Sequence, residues 1–176
     1  MSTAYLGEGL IFIISQPRSG STLLQRILYG HPDVQTSAET WLMLHPVYGL
    51  RTSGISADYG ARFAYDGVEE FLQNYTRGPE VYLDAIREWA HTIYRDAMER
   101  HDKRFFLDKT PRYFFIIPEL YELFPKARFV FLLRNPMAVL SSELSTYVQE
   151  NWPILGIFKH DLISAPGWML DGIELL

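Results

Sequence analysis

The pattern of hydrophobic and polar positions along the chain predicts short strands that alternate with helices. Residues 10–15 (LIFIIS) form a compact apolar run typical of a buried strand, and the pattern behind it predicts a helix over about 20–29. Residues 33–39 (DVQTSAE), 104–109 (RFFLDK) and 127–133 (ARFVFLL) predict three further strands. The last of these is the most strand-like segment of the chain.

Helices are predicted after the later strands as well. One helix begins near Trp41. A second, over 110–124, is capped by Thr110, which a proline follows, and a third starts at Asn135, which a proline also follows. Residues 51–78 are rich in Gly, Ser and Asp. They predict an irregular, partly helical excursion that is a candidate lid on the substrate side.

The longest helix is predicted from Pro79 onward, with the proline at the first helical position. Apolar residues recur there at three- and four-residue spacing, which predicts one core-facing side. The members of this side are Tyr82, Ala85, Ile86, Trp89, Ile93, Ala97 and Met98.

Strands that alternate with helices predict an α/β fold with a central parallel sheet and crossover helices. In such sheets ligands bind where the carboxyl ends of the strands meet the helices that follow. Polar and charged residues stand at three of these points: after residues 10–15, after 104–108 and after 129–133. We therefore expect the functional site at this edge of the sheet.

Composition predicts one globular domain over residues 1–176, since 48% of the residues are hydrophobic and 21% charged. The net charge of −5 argues against general nucleic-acid binding. The chain has no cysteine, which excludes disulfides, thiolate zinc sites and a cysteine nucleophile, and its five histidines lack paired ligand spacing, so no metal site is expected. No signal-peptide pattern and no membrane-length apolar run is present, which predicts a soluble, cytoplasmic protein.

The loop behind the first strand (QPRSGST) has the arrangement of a phosphate-binding loop. The first N–H groups of the following helix lack internal partners, and its dipole makes that end positive. Gly20 allows close approach of an anion, Ser21 and Thr22 add hydroxyl donors, and Arg18 adds a planar cation that can hold two oxygens of one group.

This loop departs from the Walker pattern of nucleoside-triphosphate enzymes. Ser15 stands where the first glycine would be and Ser21 where the lysine would be, so an ATP-dependent kinase is disfavoured. A purely structural alternative is that Ser19 or Ser21 caps the helix and Arg18 lies on the surface.

Two segments resemble the nucleotide-binding motifs of sulfotransferases that use 3′-phosphoadenosine 5′-phosphosulfate (PAPS). PRSGSTLL is similar to their 5′-phosphosulfate loop, and RFVFLLRNPMAVLSS to their 3′-phosphate motif, in which a strand ends in arginine and a serine follows eight residues later. The resemblance implies a P-loop-NTPase-like three-layer fold. It also implies a donor-binding set of Arg18, Ser19, Gly20, Ser21, Thr22, Arg134 and Ser142.

The resemblance extends to catalytic residues. LDKTP is similar to the stretch of bacterial and tyrosylprotein sulfotransferases whose lysine contacts the transferring group, which implies that Lys109 acts beside Arg18. The alternative is a surface lysine paired with its neighbour Asp108.

The catalytic base is also implied by resemblance. HPDVQTSAET is similar to the tyrosylprotein segment that carries a glutamate base, and Glu39 matches that glutamate. The alternative places Glu39 in the first turn of the helix near Trp41, where the helix dipole alone favours it. His31 and His45 are rival bases, but each adjoins a proline in a turn-like context, which favours structural roles.

The implied activity is transfer of a sulfuryl group from PAPS to a hydroxyl or amine acceptor by in-line displacement, without a metal and with 3′-phosphoadenosine 5′-phosphate (PAP) as product. A small molecule, a glycan or a peptide all remain possible acceptors. A small-molecule P-loop phosphotransferase and a non-catalytic PAP-binding or nucleotide-binding fragment are the alternatives.

Family members usually continue with another strand and a basic loop. Residues 167–176 (GWMLDGIELL) predict a helix leading into that strand, so the domain is expected to be C-terminally incomplete. The sheet edge that this would expose favours a homo-oligomer.

Overall fold

The computed structural model describes residues 5–149, and within them four parallel strands form one sheet. The strands are β1 (Leu10–Ser15), β2 (Val34–Thr36), β3 (Phe105–Asp108) and β4 (Arg128–Leu132), in the spatial order β2-β3-β1-β4. The helices are α1 (Ser21–Tyr29), α2 (Leu44–Tyr48), α3 (Ala61–Tyr75), α4 (Glu80–Glu99), a 3₁₀ helix (Pro111–Ile116), α5 (Ile117–Leu123) and α6 (Pro136–Gln149). The predicted α/β class with a central parallel sheet is confirmed.

Helices cover both faces of the sheet, because alternate residues of each strand point to opposite sides. Phe12 of β1 lies in the larger core, together with side chains of α4, α5 and the 3₁₀ helix. Its neighbour Ile13 lies in a smaller core on the other face, against which Leu24 and Leu28 of α1 pack. The result is a three-layer arrangement in which β1 is central.

Helix α4 confirms the longest predicted helix and part of its predicted core-facing side, since Ile86 is buried and Tyr82, Ala97 and Met98 pack against the core. Trp89 and Ile93 are 41% and 38% exposed, whereas Ala90 and Tyr94 are buried. The Tyr94 ring packs against Phe106, and its hydroxyl donates to the carboxylate of Asp108, 2.6 Å away. Tyr94 can be buried because its hydroxyl has a partner there.

The predicted helix over 110–124 is two helices. The 3₁₀ helix gives way to α5 at Ile117, where Pro118 cannot donate the N–H that a continuous α-helix would need. Thr110 occupies the N-cap position, but its hydroxyl accepts from the backbone N–H of Trp41 at 3.1 Å instead of capping the helix. By contrast, the Asn135 side chain does cap α6, accepting from the N–H of Met137 at 2.9 Å.

The segment behind β2 also differs from the prediction. The helix expected near Trp41 begins at Leu44, because Trp41 has a φ of 55°, in the left-handed region that interrupts a helix. Within the excursion, residues 61–75 form the regular helix α3. The lid role of residues 51–78 stays a prediction, and the helix predicted over 167–176 lies outside the described residues. No helix within residues 5–149 combines the length and apolarity needed to cross a membrane.

Candidate active site

A cleft of about 450 Å³ opens at the carboxyl edge of the sheet, and we call it the donor cleft. Its lining comes from the segments that follow all four strands, as expected for a parallel sheet, in which ligands bind at the carboxyl ends of the strands. Seven of the nine predicted site residues line it: Arg18, Gly20, Ser21, Thr22, Glu39, Arg134 and Ser142. The other two, Ser19 and Lys109, are buried, and each lies within two residues of the lining in sequence.

The conformation of the loop between β1 and α1 is set by contacts and dihedral angles within the loop itself. Arg18 has a φ of 60° and Gly20 a φ of 98°, so the chain reverses sharply before α1 begins. The hydroxyl of Ser19 donates to the carbonyl of Gln16 at 2.7 Å, so Ser19 braces the loop rather than capping the helix. A Cβ atom at Gly20 would meet nothing within 4 Å, which leaves the first turn of α1 accessible to an anion.

Two arginines connect this loop to the segment behind β4. Arg134 Nη1 donates to the carbonyl oxygen of Arg18 at 2.8 Å, and Arg18 Nε donates to Ser142 Oγ at 3.4 Å. Arg112, which sequence analysis did not select, lines the same cleft from the start of the 3₁₀ helix. Three guanidinium groups therefore face one cavity, which suits an anionic ligand with several oxygens.

One carboxyl group lies close to these cations. Burial raises the pKa of Glu143 above its usual value, while the positive charges of Arg112 and Arg18 act in the opposite direction. Burial is the larger influence, and the two cations only partly offset it.

The predicted base and the predicted second cation are in direct contact. Lys109 Nζ lies 2.9 Å from Glu39 Oε1; the lysine side chain is 5% exposed and the glutamate side chain 36% exposed. Lys109 is therefore not a surface lysine paired with Asp108. Glu39 lies in the loop before α2 rather than in a first helical turn, so the helix-dipole alternative for it is wrong as well.

Comparison with known proteins identifies the family of the chain. The sequence model of the sulfotransferase family matches residues 11–161. The chain belongs to this sulfotransferase family. It is 35% identical to the nodulation protein NoeE of Sinorhizobium fredii (strain NBRC 101917 / NGR234) over 82% of this chain and 34% of that protein. It is 29% identical to a putative protein-tyrosine sulfotransferase of Caenorhabditis briggsae over 88% of this chain and 48% of that protein.

Among solved structures, the sulfotransferase domain from the Synechococcus PCC 7002 olefin synthase matches with a TM-score of 0.49 and 27% identity, covering 86% of this chain and 57% of that one. This sulfotransferase-family chain spans less than half the length of the two curated relatives above.

Sequence analysis missed a buried carboxylate next to the ion pair. Asp108 Oδ2 accepts from Thr40 Oγ1 at 2.7 Å, Tyr94 Oη at 2.6 Å and Tyr113 Oη at 3.0 Å. Burial raises the pKa of Asp108, and these hydroxyl donors oppose that rise. The only sequence signal was its position in LDKTP, since Thr40 and Tyr94 come from distant segments and only Tyr113 is near in sequence.

This network holds both members of the ion pair through their chain neighbours. Thr40 directly follows Glu39, and Asp108 directly precedes Lys109. The hydrogen bond between Thr40 and Asp108 therefore fixes the loop behind β2 against the end of β3. The separation of Glu39 from Lys109 depends on a contact that neither residue makes itself.

The rival histidines lie outside the described lining of the donor cleft. His31 Nδ1 accepts from the backbone N–H of Asp33 at 3.2 Å, which is a turn contact. His45 belongs to α2 and lines a separate cavity. In the part of the chain that the structure describes, no group of three or more His, Asp or Glu is arranged to hold a metal ion.

Proposed function

We propose that the protein transfers a sulfuryl group from PAPS to a hydroxyl or amine acceptor by in-line displacement. The observation that carries the proposal is the contact between the two predicted donor motifs. Arg134 and Ser142, expected at the 3′-phosphate, line the same cleft as the phosphosulfate loop and hydrogen-bond to Arg18. Two predicted phosphate-binding motifs that line one cleft suit a donor with a 3′-phosphate and a 5′-phosphosulfate.

The loop and Arg18 would bind the 5′ end of the donor. The N–H groups at the start of α1, with the hydroxyls of Ser21 and Thr22, would offer donors to the phosphate oxygens. Arg18 would stabilise the negative charge that develops on the departing phosphate. Arg134 and Ser142 would hold the 3′-phosphate, and Arg134 at the same time fixes the loop carbonyl of Arg18.

Glu39 and Lys109 would carry the chemical step. Glu39 takes the acceptor's proton while the acceptor oxygen or nitrogen bonds to sulfur and the bond from sulfur to the phosphate oxygen breaks, leaving PAP. Lys109 has three N–H donors, one of which is directed at Glu39 Oε1. The others can bind sulfuryl oxygens, where charge shifts in the transition state.

Calorimetric titration with PAP and with ATP plus magnesium tests the proposal directly. We expect PAP to bind at least about tenfold more tightly than ATP, since the loop lacks the lysine that triphosphate sites use. Tighter binding of ATP with magnesium would favour a phosphotransferase and contradict the proposal. Binding of PAP without sulfate transfer from PAPS to any of a panel of phenols, sugars and long-chain alcohols would indicate a non-catalytic binder.

Arg134→Ala should weaken PAP binding by about 10- to 100-fold and change 5′-AMP binding by less than about threefold. A charge-assisted pair to the 3′-phosphate is lost only with PAP, since 5′-AMP lacks that group. Calorimetry with both ligands measures the two changes. Arg62→Ala, on the exposed side of α3, is the control and should change neither. An equal loss for both ligands would mean that Arg134 acts only by bracing the loop at Arg18.

Glu39→Gln should lower kcat by about 10²- to 10⁴-fold, because the amide cannot take the acceptor's proton. The Kd of PAP should stay within about threefold, since the 3′-phosphate and 5′-phosphate contacts are unchanged. Initial rates are measured from pH 5 to 9, with the best acceptor of the panel above. Retained turnover with an unchanged pH profile would remove Glu39 as the base.

A further inference from the structure

A second cavity of about 420 Å³ lies beside the donor cleft and shares two wall residues with it, Trp41 and Arg112. Its other walls come from α2, from the irregular stretch over 49–59 and from Phe115 of the 3₁₀ helix. The loop after β1 and the segment after β4 contribute none of the described lining. A cavity of this size accommodates a small molecule or one side chain of a larger one. A group that reaches past Trp41 from this cavity enters the donor cleft, whose lining includes Glu39.

The wall of this cavity includes an aromatic ring that is fixed in place. The guanidinium of Arg51 lies 4.5 Å from the centroid of the Tyr48 ring. Arg51 is itself anchored, because its Nη2 donates to the Phe115 carbonyl at 2.7 Å and to the Glu119 carboxylate. Gly54, with a φ of 83°, lies so close that a Cβ there would sit 3.1 Å from the ring. Tyr48 is thus a preorganised surface for a flat or apolar group.

The charges around the cavity favour one kind of molecule. Among the described residues, its lining includes Arg112 and His45 but no carboxylate. The two aromatic residues Trp41 and Tyr59 supply further flat surface. A cationic group would come close to Arg112 without a carboxylate in the described lining to pair with, since Glu143, which lies near Arg112, lines neither cavity. This is costly for a charge leaving water.

We infer that this second cavity binds the acceptor, and that it selects uncharged or anionic hydroxyl compounds with a flat apolar face over amines. The inference rests on the proposed function, since the acceptor's hydroxyl must extend past Trp41 to reach Glu39. An aliphatic amine is disfavoured twice: it carries a positive charge at neutral pH, and in that form it lacks the lone pair that attacks sulfur.

Three acceptors that share a 4-hydroxyphenyl group and differ in charge test the selection. These are tyramine (cationic), 4-ethylphenol (neutral) and 3-(4-hydroxyphenyl)propionate (anionic), assayed with PAPS at pH 7. We expect kcat/KM for tyramine to be at least about tenfold below that of the other two. Arg112→Gln should abolish any preference of the anion over the neutral phenol, a ratio that is independent of donor affinity. Equal kcat/KM for all three would overturn the selection.

Substitutions in the cavity test its location. Tyr48→Leu should raise KM for 4-ethylphenol about tenfold while kcat and the Kd of PAP stay within about threefold. Tyr59→Ala, at an exposed position that does not endanger folding, should raise KM by a smaller factor. Tyr75→Leu, on the exposed side of α3 and outside the cavity, is the control. Unchanged KM in both cavity variants would overturn the assignment.

Calorimetry with PAP distinguishes failure of the acceptor inference from failure of the proposed function. If PAP binds to the wild-type protein but none of the three phenols is sulfated, only the acceptor inference falls. If PAP does not bind, the proposed function and the acceptor inference fall together.

Discussion

Lys109→Met should lower kcat for sulfuryl transfer about a thousandfold and leave the Kd of PAP within about threefold. The ammonium group is almost fully buried and held 2.9 Å from Glu39 Oε1, so it is aimed before the reaction begins. A preorganised cation stabilises the charge that develops on the sulfuryl and leaving-group oxygens more than it stabilises the bound donor. Methionine fills a similar volume without charge, and Glu39 remains partly exposed to water. Initial rates with PAPS and calorimetry with PAP measure the two quantities.

Lys126→Met is a matched control for this substitution. Lys126 also pairs with a glutamate at 2.9 Å, but its side chain is 58% exposed and its partner is Glu8, on the strand-start side of the sheet. It should change neither kcat nor the Kd of PAP. A loss of less than tenfold for Lys109→Met would show that this lysine is not an electrostatic stabiliser of the transition state. Because Lys109 and Glu39 touch, the double variant with Glu39→Gln should lose far less than the product of the two single losses.

Asp108→Ala should produce the largest loss of stability at this site, about 3 kcal/mol or more of the free energy of unfolding. The carboxylate is buried and accepts from three hydroxyl groups, those of Thr40, Tyr94 and Tyr113. Without it these hydroxyls lose their shared acceptor, and the remaining contact between Thr40 and Tyr113, at 3.1 Å, does not replace it. Urea unfolding monitored by circular dichroism measures the loss. Tyr94→Phe, which removes one donor and keeps the ring, should cost only about 1 kcal/mol.

The pH dependence of stability provides a second test of Asp108. Since burial raises its pKa in the folded protein, the folded state binds this proton more tightly than the unfolded state does. The stability that this group contributes is therefore fully present below its unfolded pKa and is lost as the pH rises through its folded pKa. Asp108→Asn cannot titrate, so the unfolding free energy of the wild type minus that of the variant should increase as the pH is lowered. A difference that stays constant or changes in the opposite direction would contradict the assigned pKa direction.

Much of the donor side of the site could be predicted from sequence because it depends on local patterns. The apolar runs of β1 and β4 are short, continuous and followed by helix-start signals, so their positions are defined within a few residues. Parallel strands end at one edge of a sheet, which is why Arg18 and Arg134 could be expected to meet although 116 residues separate them.

The hydrogen-bond network of Asp108, which positions the ion pair, could not be predicted from local patterns. Asp108 reaches its partners across 14 residues to Tyr94 and 68 residues to Thr40, and no periodicity connects such positions. That same carboxylate gives the buried Tyr94 hydroxyl a partner, a tertiary contact that periodicity does not show, and Trp89 and Ile93 were wrongly predicted to be buried. The left-handed φ of Trp41 is likewise a local backbone choice that its residue type does not signal.

The strand order β2-β3-β1-β4 divides the proposed work of the site between two halves of the sheet. The adjacent strands β1 and β4 are followed by the groups proposed to bind the nucleotide, while Glu39 follows β2 and Lys109 follows β3. Under the proposed function, changes after β4 should act mainly on donor affinity and changes after β2 or β3 mainly on turnover, whereas Arg18 after β1 contributes to both. Donor affinity and turnover can therefore be altered separately at the two ends of the strand order, but not at the central strand β1.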